Sequence, residues 1–346
     1  MARLRRVDCS APGILRLRRG RGFSYVDQNG NRISDPQTLS RIKVLTIPPA
    51  WRDVWICAHP MGHIQAVGID AAGRRQYLYH EKWRTARDRL KFQRMIEFAH
   101  SLPTLRRVVS DSIRQPDLSF DRVLACTVRM LDRGLFRIGS EEYASKNETF
   151  GIATMLKRHV KVGPEGLVTF DYVSKGGKRQ IQSIVDPEVA VIVQQLKKRR
   201  HGKELMAYKS GGRWVDVRSN DINDYIKSVT GQNFTAKDFR TWSATVLAAV
   251  ALAKSEGGAA STTARKRAVS AAVREVADQL GNTPAVCRSS YIHPRVIDEY
   301  FSGVTIARAI EGIDLEKMDD LAFREAIEEA VLALIEGETI TPSKVA

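Results

Sequence analysis

Near Glu81 the hydrophobic period of this chain changes, and that change limits the possible folds more than any other feature. Upstream, short β-branched and aromatic runs (VWICAHP, HIQAVGID, RRQYLYH) are cut by Pro60-Met61-Gly62 and Ala71-Ala72-Gly73, which is strand-and-turn punctuation. GFSYVDQNGNRI adds Asn29-Gly30, a hairpin signal. Downstream, EKWRTARDRLKFQRMIEFAHSL spaces its apolar residues as an amphipathic helix does. A switch from a period of two to one of 3.6 predicts an α+β protein. We expect a small N-terminal antiparallel β domain over residues 1–83 and a larger, mainly α-helical domain over 84–346.

The larger domain is interrupted once. Between His159 and Asp186 the runs VKV, LVTFDYVS and RQIQSIVD are separated by Gly163-Pro164-Glu165-Gly166 and Lys175-Gly176-Gly177-Lys178, which predicts a small three-stranded sheet. Around it the helical patterns carry their own signals. Ser119 can cap a helix with the stripe Phe120, Val123, Leu124, Val128 and Leu131, stopped by Gly134. Ser219 can cap another, and AKDFRTWSATVLAAVALAK reads as a third. Ser255–Thr263, rich in small residues, reads as a mobile connection. A long helix over 264–280 then breaks at Gly281-Asn282-Thr283-Pro284, and DDLAFREAIEEAVLALIEG predicts an acidic amphipathic C-terminal helix.

Charge narrows the partners. The chain carries 55 Lys and Arg against 39 Asp and Glu, a net +16 that attracts polyanions. Ser302–Ala346 holds ten acidic and four basic residues, so the rest carries about +22. A basic body with an acidic tail fits a nucleic-acid binder; no basic amphipathic helix with an aromatic face points to a membrane surface. No apolar run approaches the ~20 residues of a membrane span, and no secretory h-region follows the basic start. Cys9, Cys57, Cys126 and Cys287 are scattered, which argues against a zinc ribbon or disulfide framework and for a reducing, cytosolic compartment. No GxxxxGK[ST] loop is present, so ATP use is not indicated.

Four segments bear chemistry. Arg137, between apolar neighbours in LFRIGSEEY, reads either as a guanidinium fork for a phosphate or as an ion pair with Glu141 or Glu142. Lys175 and Lys178 bracket a glycine turn, either as solvated turn residues or as cations reaching DNA. Lys237 and Arg240 are three apart near a helix start, an anion site or a solvated basic face. Tyr291, in LGNTPAVCRSSYI, is an interface tyrosine or a nucleophile; with a free pKa near ~10 it would need activation, and nearby arginines would supply it.

The order Arg137, hairpin lysine, Lys237-x-x-Arg240, Leu280-Gly281-Asn282-Thr283-Pro284, Ser290-Tyr291-Ile292 resembles the type IB DNA topoisomerases, especially the small bacterial and poxvirus-type enzymes. Gln76-Tyr77-Leu78-Tyr79 looks like that family's DNA-contacting strand, so the resemblance covers nearly the whole chain. It implies a monomeric clamp on supercoiled duplex DNA, cytoplasmic and nucleoid-associated, acting through a 3′-phosphotyrosyl link with no metal or nucleotide cofactor. It also implies roles. Tyr291 would be the nucleophile, Arg137 and Arg240 would clamp the non-bridging oxygens, and Lys175 would be the general acid, with Lys178 as the competing choice. Lys237 would support the phosphate or the proton relay. Asn282 stands where the wider family often has histidine; it can donate a hydrogen bond to a phosphate but cannot titrate near pH 7.

Further DNA contacts are expected from Gln76, Tyr77, Tyr79, His63, Lys178 and Arg288. His59 and His63 are four apart, but Pro60 and Gly62 break the helix that would align them as metal ligands, and Trp51, Trp55 and Trp83 read as domain core. Two rival classes share the signals. Tyrosine recombinases show His-x-x-Arg where this chain has Lys237-x-x-Arg240, and the N-terminal β segment does not resemble their helical domain. A non-catalytic DNA-packaging protein would use the basic surface alone.

Overall fold

The computed structural model describes residues 3–255, 261–311 and 321–340. The chain divides into two compact units, Met1–Gln93 and Arg94–Ala346.

The first unit is built on strands β1 (Ile14–Arg19) and β2 (Gly22–Val26), helix α1 (Pro36–Val44), and strands β3 (Arg52–Ile56), β4 (Ile64–Ile69) and β5 (Arg75–Tyr79). The strands form one antiparallel sheet in the order β2-β1-β3-β4-β5. Alternation sends Ile14, Val54, Ile56 and Ala66 to one face, where Ile42 of α1 seals them, with Tyr25, Trp51 and Leu78 packed alongside. α1 escaped the sequence reading although its signals were there: Asp35 accepts from Thr38 N at 2.8 Å and Pro36 opens the first turn. The Asn29-Gly30 turn forms, but its return arm is a single bridge, Val26 to Arg32; β2 pairs instead with β1. Only Trp51 of the three tryptophans packs on this core. Trp55 donates to Ala11 O at 3.0 Å, and Trp83 meets the His63 ring edge-on at 4.8 Å.

α2 (Glu81–Ile113) is one long helix, with Pro103 inside it, and the unit boundary falls within its length. In the second unit follow α3 (Phe120–Arg133), α4 (Glu141–Asn147), β6 (Val160–Val162), β7 (Leu167–Ser174), β8 (Lys178–Val185), α5 (Pro187–Lys198), β9 (Ala207–Ser210), β10 (Arg213–Asp216), α6 (Ser219–Thr230), α7 (Ala236–Lys254), α8 (Thr262–Leu280), α9 (Pro284–Ser290), α10 (Pro294–Ser302) and α11 (Leu321–Glu336). The three-stranded sheet β6-β7-β8 is antiparallel, as expected. The hairpin β9–β10 was not foreseen. Ser119 and Gly134 do cap α3, but Phe120 leaves the buried stripe and stacks edge-on against Tyr208 at 4.8 Å. Ser219 is the first helical residue of α6 rather than its cap, because Glu141 takes both its N–H, at 3.0 Å, and its hydroxyl, at 3.2 Å. Residues 256–260 of the expected mobile connection lie outside the described residues.

The fold is therefore α+β, an N-terminal antiparallel sheet followed by a mainly helical unit with small sheets. Among the described residues no helix is long and apolar enough to cross a membrane.

Candidate active site

Tyr291 sits where α9 ends. Thr283 caps that short helix, Pro284 opens it, and the Tyr291 N–H closes it on Cys287 O at 3.0 Å. One side chain ties this corner to α7. The hydroxyl of Thr245, fully buried among apolar neighbours, donates to Tyr291 O at 3.1 Å and accepts from His293 N at 3.1 Å. Thr245, at the edge of the apolar run that ends α7, was the sequence trace of this anchor.

Arg240 lies on α7 just over one turn before Thr245 and is 4% exposed. Its guanidinium carbon stands 5.7 Å from the Tyr291 ring centre, and its amino groups donate to Leu280 O at 2.8 Å and to Leu135 O. Arg137 approaches from the loop between α3 and α4. One nitrogen donates to Leu280 O and Gly281 O, both at 3.3 Å, and to Asn282 Oδ1 at 2.5 Å. The turn Leu280-Gly281-Asn282 thus gathers both guanidinia. That turn exists because Gly281 closes α8 in the left-handed conformation, φ 63°, which favours glycine.

The loop carrying Arg137 is fixed by close backbone packing. Ile152 N donates to Arg137 O and Ala153 N to Ile138 O, both at 2.8 Å. Gly139 and Gly151 face each other so closely that a Cβ on Gly151 would strike the Gly139 backbone and Arg137 O. Phe136 is fully buried and packs edge-on against Phe170 at 4.7 Å. The alternative ion pair for Arg137 does not form: Glu141 is engaged by Ser219 and Glu142 by Lys146 at 2.7 Å.

The protein partners of both arginines are carbonyl oxygens, one amide and the Tyr291 phenol; among the described residues none is a carboxylate. Two donor atoms at the same place are buried and have no hydrogen-bond partner among the described residues, Arg240 Nε and Asn282 Nδ2. Buried charge and buried donors both cost free energy unless something answers them. Burial, then the charge of Arg137, brings the Arg240 pKa down to about 10, so the site presses on its own cation. Burial alone would raise the Tyr291 pKa, but Arg240, Arg137 and Lys237 together bring it below the ordinary tyrosine value. The arrangement is a partly buried, anion-seeking cluster of donors beside a phenol of lowered pKa.

Lys237 acts on Tyr291 through charge while remaining exposed in the first turn of α7. The start of α7 is not itself an anion site: Asp238 accepts from Thr235 N at 2.7 Å and pairs with Arg94 at 2.8 Å. Lys175 and Lys178 flank the exposed β7–β8 turn, and neither side chain makes a hydrogen bond or ion pair among the described residues. Arg288, on α9, is exposed.

In the first unit, Tyr77 and Tyr79 project from one face of edge strand β5, about two-fifths exposed, with rings 6.0 Å apart and nearly parallel at 18°. Gln76 alternates to the other face and donates to Asp70 at 2.9 Å. His63 has its Nδ1 occupied by Val7 N–H at 3.1 Å.

Two family descriptions match the sequence: "Eukaryotic DNA topoisomerase I, catalytic core" over residues 80–310 and "Bacterial DNA topoisomerase IB, N-terminal domain" over residues 22–70. The chain is 31% identical to the DNA topoisomerase 1B of Acanthamoeba polyphaga mimivirus, over 83% of this chain and 87% of that protein. It is 21% identical to the DNA topoisomerase 1B of vaccinia virus (strain Copenhagen) and 20% identical to the DNA topoisomerase I of monkeypox virus, each over 80% of this chain and 87% of the viral one. With a family model matched over residues 80–310, and 31% identity to a type IB enzyme over 83% of its length, the chain belongs to the type IB DNA topoisomerase family.

Proposed function

We propose that the chain relaxes supercoiled duplex DNA by transient cleavage of one strand at Tyr291. The observation that carries this reading is the pairing of a tyrosine of lowered pKa with one buried guanidinium, Arg240, and one half-buried guanidinium, Arg137, that lack any carboxylate partner among the described residues. The phenol loses its proton to solvent, and the phenolate oxygen attacks a backbone phosphorus. A bond forms from Tyr291 to phosphorus, the bond from phosphorus to the 5′ oxygen breaks, and the strand is left joined to the protein through its 3′ phosphate. Arg137 and Arg240 hold the non-bridging oxygens, Asn282 Nδ2 adds a neutral donor, and Lys237 stabilises the phenolate. Charge stabilisation of this kind is commonly the largest catalytic contribution. A hairpin lysine, Lys175 or Lys178, gives the leaving oxygen its proton. Bond energy is retained in the phosphotyrosine, so religation is the reverse attack by the 5′ hydroxyl and needs neither ATP nor a metal.

In this reading residues 1–83 form a DNA-clamping domain and 84–346 the catalytic domain of a monomer that works in the cytoplasm on nucleoid DNA. Gln76, Tyr77, Tyr79, His63, Lys178 and Arg288 meet the duplex; Gln76 and His63 are at the same time held by hydrogen bonds with Asp70 and the Val7 N–H. The test is relaxation of negatively supercoiled plasmid in EDTA without ATP, wild type beside Tyr291→Phe. Relaxation by the wild type alone is expected. Relaxation by the variant would remove Tyr291 as nucleophile, and inactivity of both would leave a DNA-binding protein.

A further inference from the structure

The β7–β8 register brings one side chain of the hairpin to the turn that gathers the arginines. Tyr172 pairs with Gln180 and Ser174 with Lys178. Along β7 the even-numbered residues Val168, Phe170, Tyr172 and Ser174 are buried, and on β8 the half-buried Gln180 and Gln182 share that inward face. Gln182 is already committed, accepting from Tyr172 Oη at 2.8 Å. Gln180 makes no side-chain hydrogen bond among the described residues, and its Nε2 lies directly over Gly281, where a Cβ would run into it. Gly281 stands between Leu280, whose carbonyl takes Arg240 and Arg137, and Asn282, which takes Arg137. Lys178 is two residues from Gln180 along the same strand, about 7 Å at ordinary strand rise. Burial raises the Tyr172 phenol to about 12 against the pull of Arg240 and Arg137, so this face of the hairpin lies within their field.

We propose that Gln180 is a positioning residue: seated on Gly281, it registers the lysine-bearing hairpin against the turn that holds Arg137, Arg240 and Asn282. It thereby sets the reach from the proton-donating lysine to the leaving 5′ oxygen. This rests on the assignment of a hairpin lysine as general acid. Glycine at 281 then has two reasons, its backbone conformation and the seat it offers to Gln180.

The test compares single-turnover cleavage of two synthetic duplexes that differ in one atom, oxygen or sulfur at the 5′ leaving position. A thiolate departs without being protonated, since a thiol is far more acidic than an alcohol. Gln180→Ala is expected to cleave the oxygen substrate ~10- to 100-fold more slowly than wild type, yet to stay within about threefold on the sulfur substrate. Gln180→Asn keeps the strand and the amide but is one methylene short of Gly281; it should show the same selectivity, even if Gln180→Ala folds poorly. Equal losses on both substrates would make Gln180 a structural residue and overturn the proposal, as would an unchanged rate on oxygen. No covalent adduct from wild type on either substrate would overturn the nucleophile assignment, and this proposal with it.

Discussion

At Tyr291 two opposing effects meet. Burial disfavours a phenolate, and three cations favour it more, so the side chain is acidified where solvent is scarce. Arg240 is the most deeply buried of those cations, and its Nε awaits an acceptor. We therefore predict that Arg240→Ala lowers the single-turnover cleavage rate by ~10²- to 10³-fold, while equilibrium binding of duplex DNA changes far less. Equal losses in both would recast Arg240 as a binding contact. The residues of this cluster were legible in the sequence because each belongs to a short motif with a chemical reason. Thr245 was not, since a helix threonine that bonds back to the preceding turn is indistinguishable from any other until the Tyr291 corner is folded against it. His63 and Gln76, expected at the DNA surface, each also have an intramolecular hydrogen-bond partner that no motif announces.

Elements set the distances between those residues. The loop of Arg137 is held by the Gly139–Gly151 approach and by Phe136 in the core. Gly151→Ala would push the two backbones apart at a cost of about 1–3 kcal/mol, and displacement of Arg137 should slow cleavage ~10-fold or more. Urea unfolding and single-turnover kinetics on the same variant measure both; an unchanged rate in a destabilised protein would show that Arg137 is positioned some other way. Elements with a clean period were legible, including β6–β8 and the capped α3. The ones missed had weak or competing patterns. α1 is nine residues with one buried side chain, Ile42, and the β9–β10 hairpin follows a basic run, Lys197 to Arg200, that masks its start. Alternation, once observed, also separated Gln76 from the exposed Tyr77–Tyr79 pair, a distinction that a motif match cannot make.

Across the whole molecule charge is divided by purpose. The basic surplus that draws DNA coexists with an acidic C-terminal helix, and α11 spends part of its charge within the second unit. Glu328 is buried against Arg106 at 2.7 Å and Arg324 at 3.0 Å, and Asp132 of α3 completes the network with Arg106 at 2.9 Å. Burial would raise the Asp132 pKa, but Arg324 and Arg106 hold it down to about 2. Because the folded value lies below the ordinary ~3.9 of an unfolded aspartate, this carboxylate contributes stability above that value. The contribution is lost as pH falls from about 5 toward 2. Asp132→Asn should cost about 3–5 kcal/mol at pH 7, the usual loss on breaking a buried ion pair, and should flatten the acid limb of stability. Urea midpoints from pH 7 down to 3 would show it, and parallel curves for the two proteins would contradict the assignment.

Where DNA becomes attached decides whether Tyr291 is the nucleophile. Duplex DNA labelled on the cleaved strand, trapped with the protein by denaturation and digested to peptides, identifies the linkage by mass. A 3′-phosphate ester on Tyr291 is the predicted result; attachment at any other residue, or through the 5′ end of the break, would contradict it.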